Sequence, residues 1–246
     1  MRKLYMTATV LFLFSAAFSQ SSESSTGSLL KKANGLFGKT GSGSNSLSSD
    51  DIVAGLKEAL VVGAKNSTGK LSAADGFFKD AAVKVLMPEE ARKVEQKLRQ
   101  LGMGKLVDDA ILSMNRAAED ASKSATPIFI NAVKKMTVQD GLSILQGADT
   151  AATGYLRKST SPELMAAFHP VIDSSLQKTG ATKYWKDVFD TYNRFSIKPV
   201  NPDLSAYVAD KAMNGIFYYV AEEEKKIRTN PAARVSDILQ KVFGKR

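Results

Sequence analysis

Residues Leu98–Ala121, LRQLGMGKLVDDAILSMNRAAEDA, close one amphipathic helix, turn on two glycines and open a second helix. Ahead of the turn, Ala91, Val94, Leu98 and Leu101 recur at helical spacing, and Gly102 supplies the stop. Beyond it, Val107, Ala110, Ile111, Met114, Ala118 and Ala121 form an apolar stripe on a helix predicted to run to about Ser124. Two helices meeting at a short glycine turn are the signature of an all-α fold.

The same pattern extends in both directions. Ile52, Val53, Leu56, Ala59 and Leu60 follow a Ser48-Ser49-Asp50 cap region and predict a helix to about Lys65. Asn66–Asp80 holds turn residues, Ala82–Met87 reads as extended, and Pro88 with Glu89 and Glu90 suits the first turn of the helix that ends at Gly102. Further on, Thr126-Pro127 reads as an N-cap with a first-turn proline, Thr137–Asp140 as a second cap with Gly147 as its stop, and Asp149 as the start of a helix through Leu156. Ser161-Pro162-Glu163 caps a helix that Pro170 should kink and Gly180 should end. Pro202 opens what reads as the longest helix, to about Arg228, and Asn230-Pro231 caps a last one. These elements predict an all-α, bundle-like domain of about ten helices over residues 50–246, with no fixed-period repeat that would make a solenoid.

The N-terminus has a different composition. Arg2 and Lys3 precede the apolar run Leu4–Phe18, too short for a stable membrane span, and Ala17 and Ser19 suit cleavage before Gln20, so residues 1–19 read as a signal peptide. Residues 20–49 are a Ser/Gly-rich flexible linker, interrupted by an amphipathic island over Ser28–Phe37. The island reads first as a short helix docking back on the domain, and second as a weak contact to an anionic surface or partner. No later segment is apolar enough to span a bilayer, so the expected product is a soluble exported protein, periplasmic in location.

Composition narrows the chemistry. The chain has no cysteine, which excludes disulfides, thiolate nucleophiles, thiolate metal sites and acylation as a lipoprotein. Loss of the signal removes Arg2 and Lys3 and no acid, so the formal charge falls by two, from +9 to +7. Lys and Arg are interleaved with Asp and Glu rather than blocked, which argues for solubility and against nucleic acid as a partner.

Several motif fragments fail on context. Ser67-Thr68-Gly69-Lys70 and Lys178-Thr179-Gly180 match penicillin-binding-protein motifs in spelling, but the second ends a predicted helix instead of lining a site on a strand. Gly102-Met103-Gly104-Lys105 lacks the leading glycine and trailing hydroxyl of a phosphate loop, and Asp108 and Asp109 early in the helix would repel a phosphate. His169, the one histidine, has no nucleophile elbow beside it and cannot build a metal site alone, and no calcium-loop spacing occurs. The expectation is no metal and no cofactor.

Three groups remain as candidate ligand contacts. Arg116 is expected opposite the apolar stripe near Asp109 and Asp120, flanked by Asn115 and Glu119, either as a solvated ion-paired face or as a bidentate anion site. Glu224 continues the stripe of Met213, Phe217, Val220 and Ile227, with Arg228 one turn on, either as an ion pair closing the core or as the polar end of a pocket. Tyr184, Trp185 and Tyr192 belong to the densest aromatic cluster and suit an apolar groove. Convergence of Arg116, Glu119, Glu224, Arg228 and Tyr155 in one concave site would mark a ligand site or an enzyme.

The segments LRQLGMGKLVDDAILSMNRAAEDA, PIFINAVKKMT, GADTAATGYLRKST and YVADKAMNGIFYYVAEEEKKIRTNPAARVSDILQKVFG, in this order, resemble the bacterial family named domain of unknown function 4197. The likeness spans about Asp50 to Gly244 and implies an exported, helix-rich protein of the Gram-negative envelope; it carries no catalytic residue to this chain. The expected function is therefore a non-enzymatic periplasmic binding or interaction protein for an apolar or anionic small molecule or an envelope partner. The competing expectation is a metal-independent envelope hydrolase or lyase using carboxylates such as Glu119 or Glu224 as acid and base.

Overall fold

A computed structural model describes residues 48–182, 185–186, 190, 193–194, 199, 203–230 and 240. The signal, the linker, Tyr184, Tyr192 and nearly all of the expected C-terminal helix lie outside these residues. Among the described residues there is no strand, and seven α-helices stand where about ten elements were expected: α1 (Ser49–Ser72), α2 (Arg92–Gln100), α3 (Gly104–Ser122), α4 (Ala125–Lys135), α5 (Val138–Gln146), α6 (Ala151–Lys178) and α7 (Leu204–Thr229). A single 3-10 turn, Glu89–Ala91, leads into α2.

The lower count has physical causes. α1 runs past Lys65 to Ser72 because Ser67, Thr68 and Leu71 are buried and both hydroxyls bond carbonyls one turn back, Ser67 Oγ to Gly63 and Thr68 Oγ1 to Ala64. Ser67 therefore sits inside a helix and not in the expected turn. The two helices expected around Ser161 are one, and α6, not α7, is the longest, at 28 residues with Pro162 and Pro170 in its interior. Its buried ridge, Leu156, Thr160, Leu164, Phe168, Ile172 and Leu176, repeats every fourth residue. Five such apolar side chains at about 1.5–3 kcal/mol each outweigh two prolines at about 3 kcal/mol each.

Several expected ends are where the residues put them. Thr137 and Asp140 form a reciprocal capping box on α5, and Gly147 is its C-cap. α2 ends in a Schellman arrangement: Met103 N–H donates to the Leu98 carbonyl at 2.9 Å and Gly102 N–H to the Arg99 carbonyl at 3.1 Å, with Gly102 at φ +77°. α3 begins directly at Gly104, so Asp108 and Asp109 fall in its second turn; Asp108 pairs with Arg99 and Asp109 with Lys105. They do not complement the helix terminus, contrary to the expectation.

α3 is the centre of the domain, packing against α6, α7, α1 and α2, while α1 and α7 also lie side by side. Phe129 of α4 meets Phe217 of α7 edge-on, with ring centroids 5.7 Å apart. Between α1 and α2 the chain crosses residues 73–88 without a regular α-helix, burying Phe77, Val83 and Val85.

Candidate functional site

The polar segment of α3 faces inward, onto the 73–88 crossing. Asn115 is fully buried: its Oδ1 accepts from Val85 N–H at 2.9 Å, and its Nδ2 donates to the Val85 carbonyl at 2.8 Å and to the Ile111 carbonyl at 2.7 Å. Glu119, 4% exposed, accepts from Phe77 N–H at 3.1 Å, Phe78 N–H at 3.2 Å and Arg116 Nη1 at 2.7 Å. Arg116 Nη2 donates to Asp75 Oδ1 at 2.6 Å, so the guanidinium bridges two carboxylates and lies over the Phe78 ring. Those hydrogen bonds hold Arg116 above its ordinary pKa, and Lys79 together with Arg116 holds Asp75 below its own. The expected partners Asp109 and Asp120 instead pair with Lys105 and Lys123. These three residues staple the crossing to α3; Asn115 and Glu119 are buried instead of lying on an open face, while the Arg116 side chain stays 41% exposed.

A second network closes the corner between α5 and α6. Thr150 gives α6 no side-chain cap; Glu224 of α7 takes that place, accepting from Ala152 N–H, Thr153 N–H and the Thr153 hydroxyl at 2.8–3.1 Å. Arg228 donates Nε and Nη2 to Glu224 and Nη2 also to the Ile144 carbonyl in the last turn of α5. Both side chains are about 95% buried. A carboxylate on helix-terminal amides and a guanidinium on a helix-terminal carbonyl match the polarity of the two ends. Tyr155 is half-buried one turn along α6, its phenol pushed up by burial and by the charge of Asp140. The Arg116–Glu119 and Glu224–Arg228 networks have separate partners, so the convergent concave cluster is not formed.

A third polar cluster escaped sequence reading. Asp80 Oδ2 receives Lys70 Nζ at 2.9 Å and a short hydrogen bond from the Tyr219 hydroxyl, and Lys70 lies 3.7 Å above the Tyr219 ring. It ties the crossing to α1 and α7 across long sequence separations, which no local pattern encodes. Tyr207 adds another tie, donating to the Leu86 carbonyl at 2.8 Å.

No residue of α2 is fully buried; Val94 and Leu98 face a cleft of about 430 Å³ that Met87, Leu106, Met114 and Trp185 also line. Trp185, 7% exposed, is the one member of the expected aromatic trio within the described residues. Met87 and Trp185 also border a second, larger cavity of about 840 Å³ along α7, lined by Tyr207, Asp210, Lys211, Asn214 and Tyr218. Met87, Tyr207 and Tyr218 were not singled out by the sequence. Positions 207, 211, 214 and 218 do, however, share one helical face. Among the described residues no group of three or more His, Asp or Glu is placed to hold a metal ion.

Among the described residues, an all-helical domain with internal polar staples and an apolar cleft defines the class. The family described as Protein of unknown function (DUF4197) matches residues 46–244, and the chain belongs to that family. No curated protein and no solved structure matches the chain.

Proposed function

We propose that this protein is an exported, non-enzymatic binding protein that holds an apolar ligand in the cleft between α2, α3 and Trp185. The observation that carries the reading is the apolar face of α2, a helix in which no residue is fully buried. Val94 and Leu98 are only partly buried against the core and line a cleft of about 430 Å³, and Leu101, Met103 and Leu106 stay exposed at the adjoining turn. Small-molecule sites have this size and lining, and exposed apolar groups gathered at one place mark a contact surface. The anionic-ligand version is less favoured because Asp75 and Glu119 already balance the Arg116 charge. The carboxylate-enzyme reading finds no support either, since Glu119 and Glu224 are each occupied by backbone amides and an arginine.

Export rests on the N-terminal nineteen residues, and no helix among the described residues is long and apolar enough to cross a membrane. Mass spectrometry of the envelope fraction is expected to find a mature chain starting at Gln20; an intact N-terminus in the cytoplasm overturns export.

Trp185 is the chain's one tryptophan and lines this cleft, so its fluorescence responds to a ligand bound there. A chain-brominated dodecanoate is expected to quench it saturably, and Leu98→Glu is expected to abolish the quenching while leaving the helical circular dichroism intact. Ligand at about a hundred times Kd should raise unfolding stability by about 2.7 kcal/mol. Absence of both quenching and stabilisation overturns the reading.

A further inference from the structure

The two cavities meet at Met87 and Trp185, which line both. On the α2 side the wall is mainly apolar, with Val94, Leu98, Leu106 and Met114, and its acids Glu95 and Asp109 are paired with Arg99 and Lys105. On the α7 side it is charged and aromatic: Lys84, Arg92 and Lys211 oppose Glu89, Glu90 and Asp210, and Tyr207 and Tyr218 stand between them. Three basic and three acidic residues leave that wall with no formal net charge. An indole and a thioether suit the boundary, because tryptophan has an apolar body with a polar edge and methionine adapts to irregular contacts.

A ligand apolar throughout would fill one cavity and leave the charged wall unused. A head group of one sign would meet as many like charges as opposite ones. An uncharged head would displace water from six ionic side chains and return no ion pair. A head carrying both signs can face a basic and an acidic residue together, and Asp210 and Lys211 are exposed and adjacent on α7. Tyr207 sits among these charges: burial first, then Glu90 and Asp210, push its phenol up to about 12, with Arg92 opposing them. Its one O–H already donates to the Leu86 carbonyl, so toward a head group the phenol offers an acceptor only.

We infer that the ligand is a single-chain amphiphile with a zwitterionic head group, its tail in the α2–α3 cleft and its head against Asp210 and Lys211 of α7. This rests on the binding reading above and adds the ligand's chemistry to it.

The test titrates the purified protein with four probes sharing a dodecyl chain, each below its micelle concentration. These are dodecylphosphocholine, dodecyl maltoside, dodecanoate and dodecyltrimethylammonium, read by Trp185 fluorescence and by calorimetry. Dodecylphosphocholine is expected to bind at least about tenfold more tightly than each of the other three. Lys211→Glu is expected to shift preference toward the trimethylammonium probe, and Asp210→Lys toward dodecanoate; both positions are exposed, so the fold is kept. Equal binding of all four, or a preference for a singly charged or uncharged head, overturns the head-group inference and leaves the apolar-cleft reading standing. Failure of all four to bind overturns both.

Discussion

Asn115 holds Val85 by both of its backbone groups, accepting from the amide at 2.9 Å and donating to the carbonyl at 2.8 Å. One buried side-chain amide thus does for the 73–88 crossing what a neighbouring strand does for an edge, and it does so from the central helix. Truncation leaves a buried N–H and C=O with no replacement. Asn115→Ala is therefore expected to lower unfolding stability by about 2–4 kcal/mol in urea melts. Asn115→Asp keeps the acceptor, loses the donor and adds a buried charge, and is expected to cost at least as much. Ser113→Ala, at a half-buried position of the same helix whose hydroxyl bonds only the Asp109 carbonyl one turn back, should stay within about 0.5 kcal/mol. A harmless Asn115→Ala would mean the crossing is held by its apolar contacts alone.

The Lys70–Asp80–Tyr219 cluster predicts a flat-topped pH dependence. Partial burial pushes the Asp80 carboxyl up, but hydrogen bonds from Tyr219 and Lys70 outweigh it and hold the group below its ordinary value of 3.8. A lowered carboxyl contributes stability that is present above the unfolded pKa and lost as pH falls through the folded one. Burial pushes Lys70 down, yet its bonds to Tyr219 and Asp80 leave it raised; burial and then Asp80 raise Tyr219. Raised groups contribute stability present below their unfolded pKa and lost as pH climbs through the folded one. Asp80→Asn is expected to cost about 1–3 kcal/mol on a plateau between about pH 5 and 9, the cost shrinking on either side. Urea midpoints across that range check it; a cost that keeps growing below pH 4 contradicts the assignment.

The helices were legible where their signals are local. The Thr137–Asp140 box, the Gly102 stop and the stripe of α3 all follow from residues a few positions apart. Proline misled at position 162, because its cost is local while the compensating ridge from Leu156 to Leu176 runs the length of α6. Arg116 was placed on a solvated face because sequence shows which acids are near in the chain, and Asp75, its partner, is forty-one positions away. Asn115 and Glu119 could not be recognised as buried for the same reason: their partners lie on a segment with no periodic pattern. Family membership was carried by motif order across the whole domain, a signal independent of any contact.

Two glycines on long helices should respond to alanine with opposite signs. A Cβ on Gly215 of α7 would come within 2.7 Å of the buried Phe77 ring and 3.3 Å of Val83, so α7 and the crossing would have to separate. Gly215→Ala is expected to destabilise by about 1–3 kcal/mol. A Cβ on Gly154 of α6 meets nothing within 4 Å, and there the lost freedom of the unfolded chain dominates. Gly154→Ala is expected to stabilise by about 0.4–1 kcal/mol. Thermal melts of the two variants check both, and an unchanged Gly215→Ala would show that the crossing does not pack on α7 as described.

Glu224 and Arg228 are expected to behave as a unit. Removing the carboxylate alone strands a buried guanidinium and two first-turn amides of α6, Ala152 and Thr153; Glu224→Ala should cost about 3–5 kcal/mol. Arg228→Ala strands the carboxylate, but the amides still donate to it, so its cost should be smaller. Replacing both by methionine removes both buried charges and fills the space, leaving the α6 amides and the Ile144 carbonyl as the main loss. The double variant is therefore expected to be more stable than Glu224→Met alone, with a coupling of about 1–3 kcal/mol in a double-mutant cycle of the methionine variants. Additive single costs would show that each group acts only through its helix terminus. In that case the pair's proximity contributes nothing beyond the two caps.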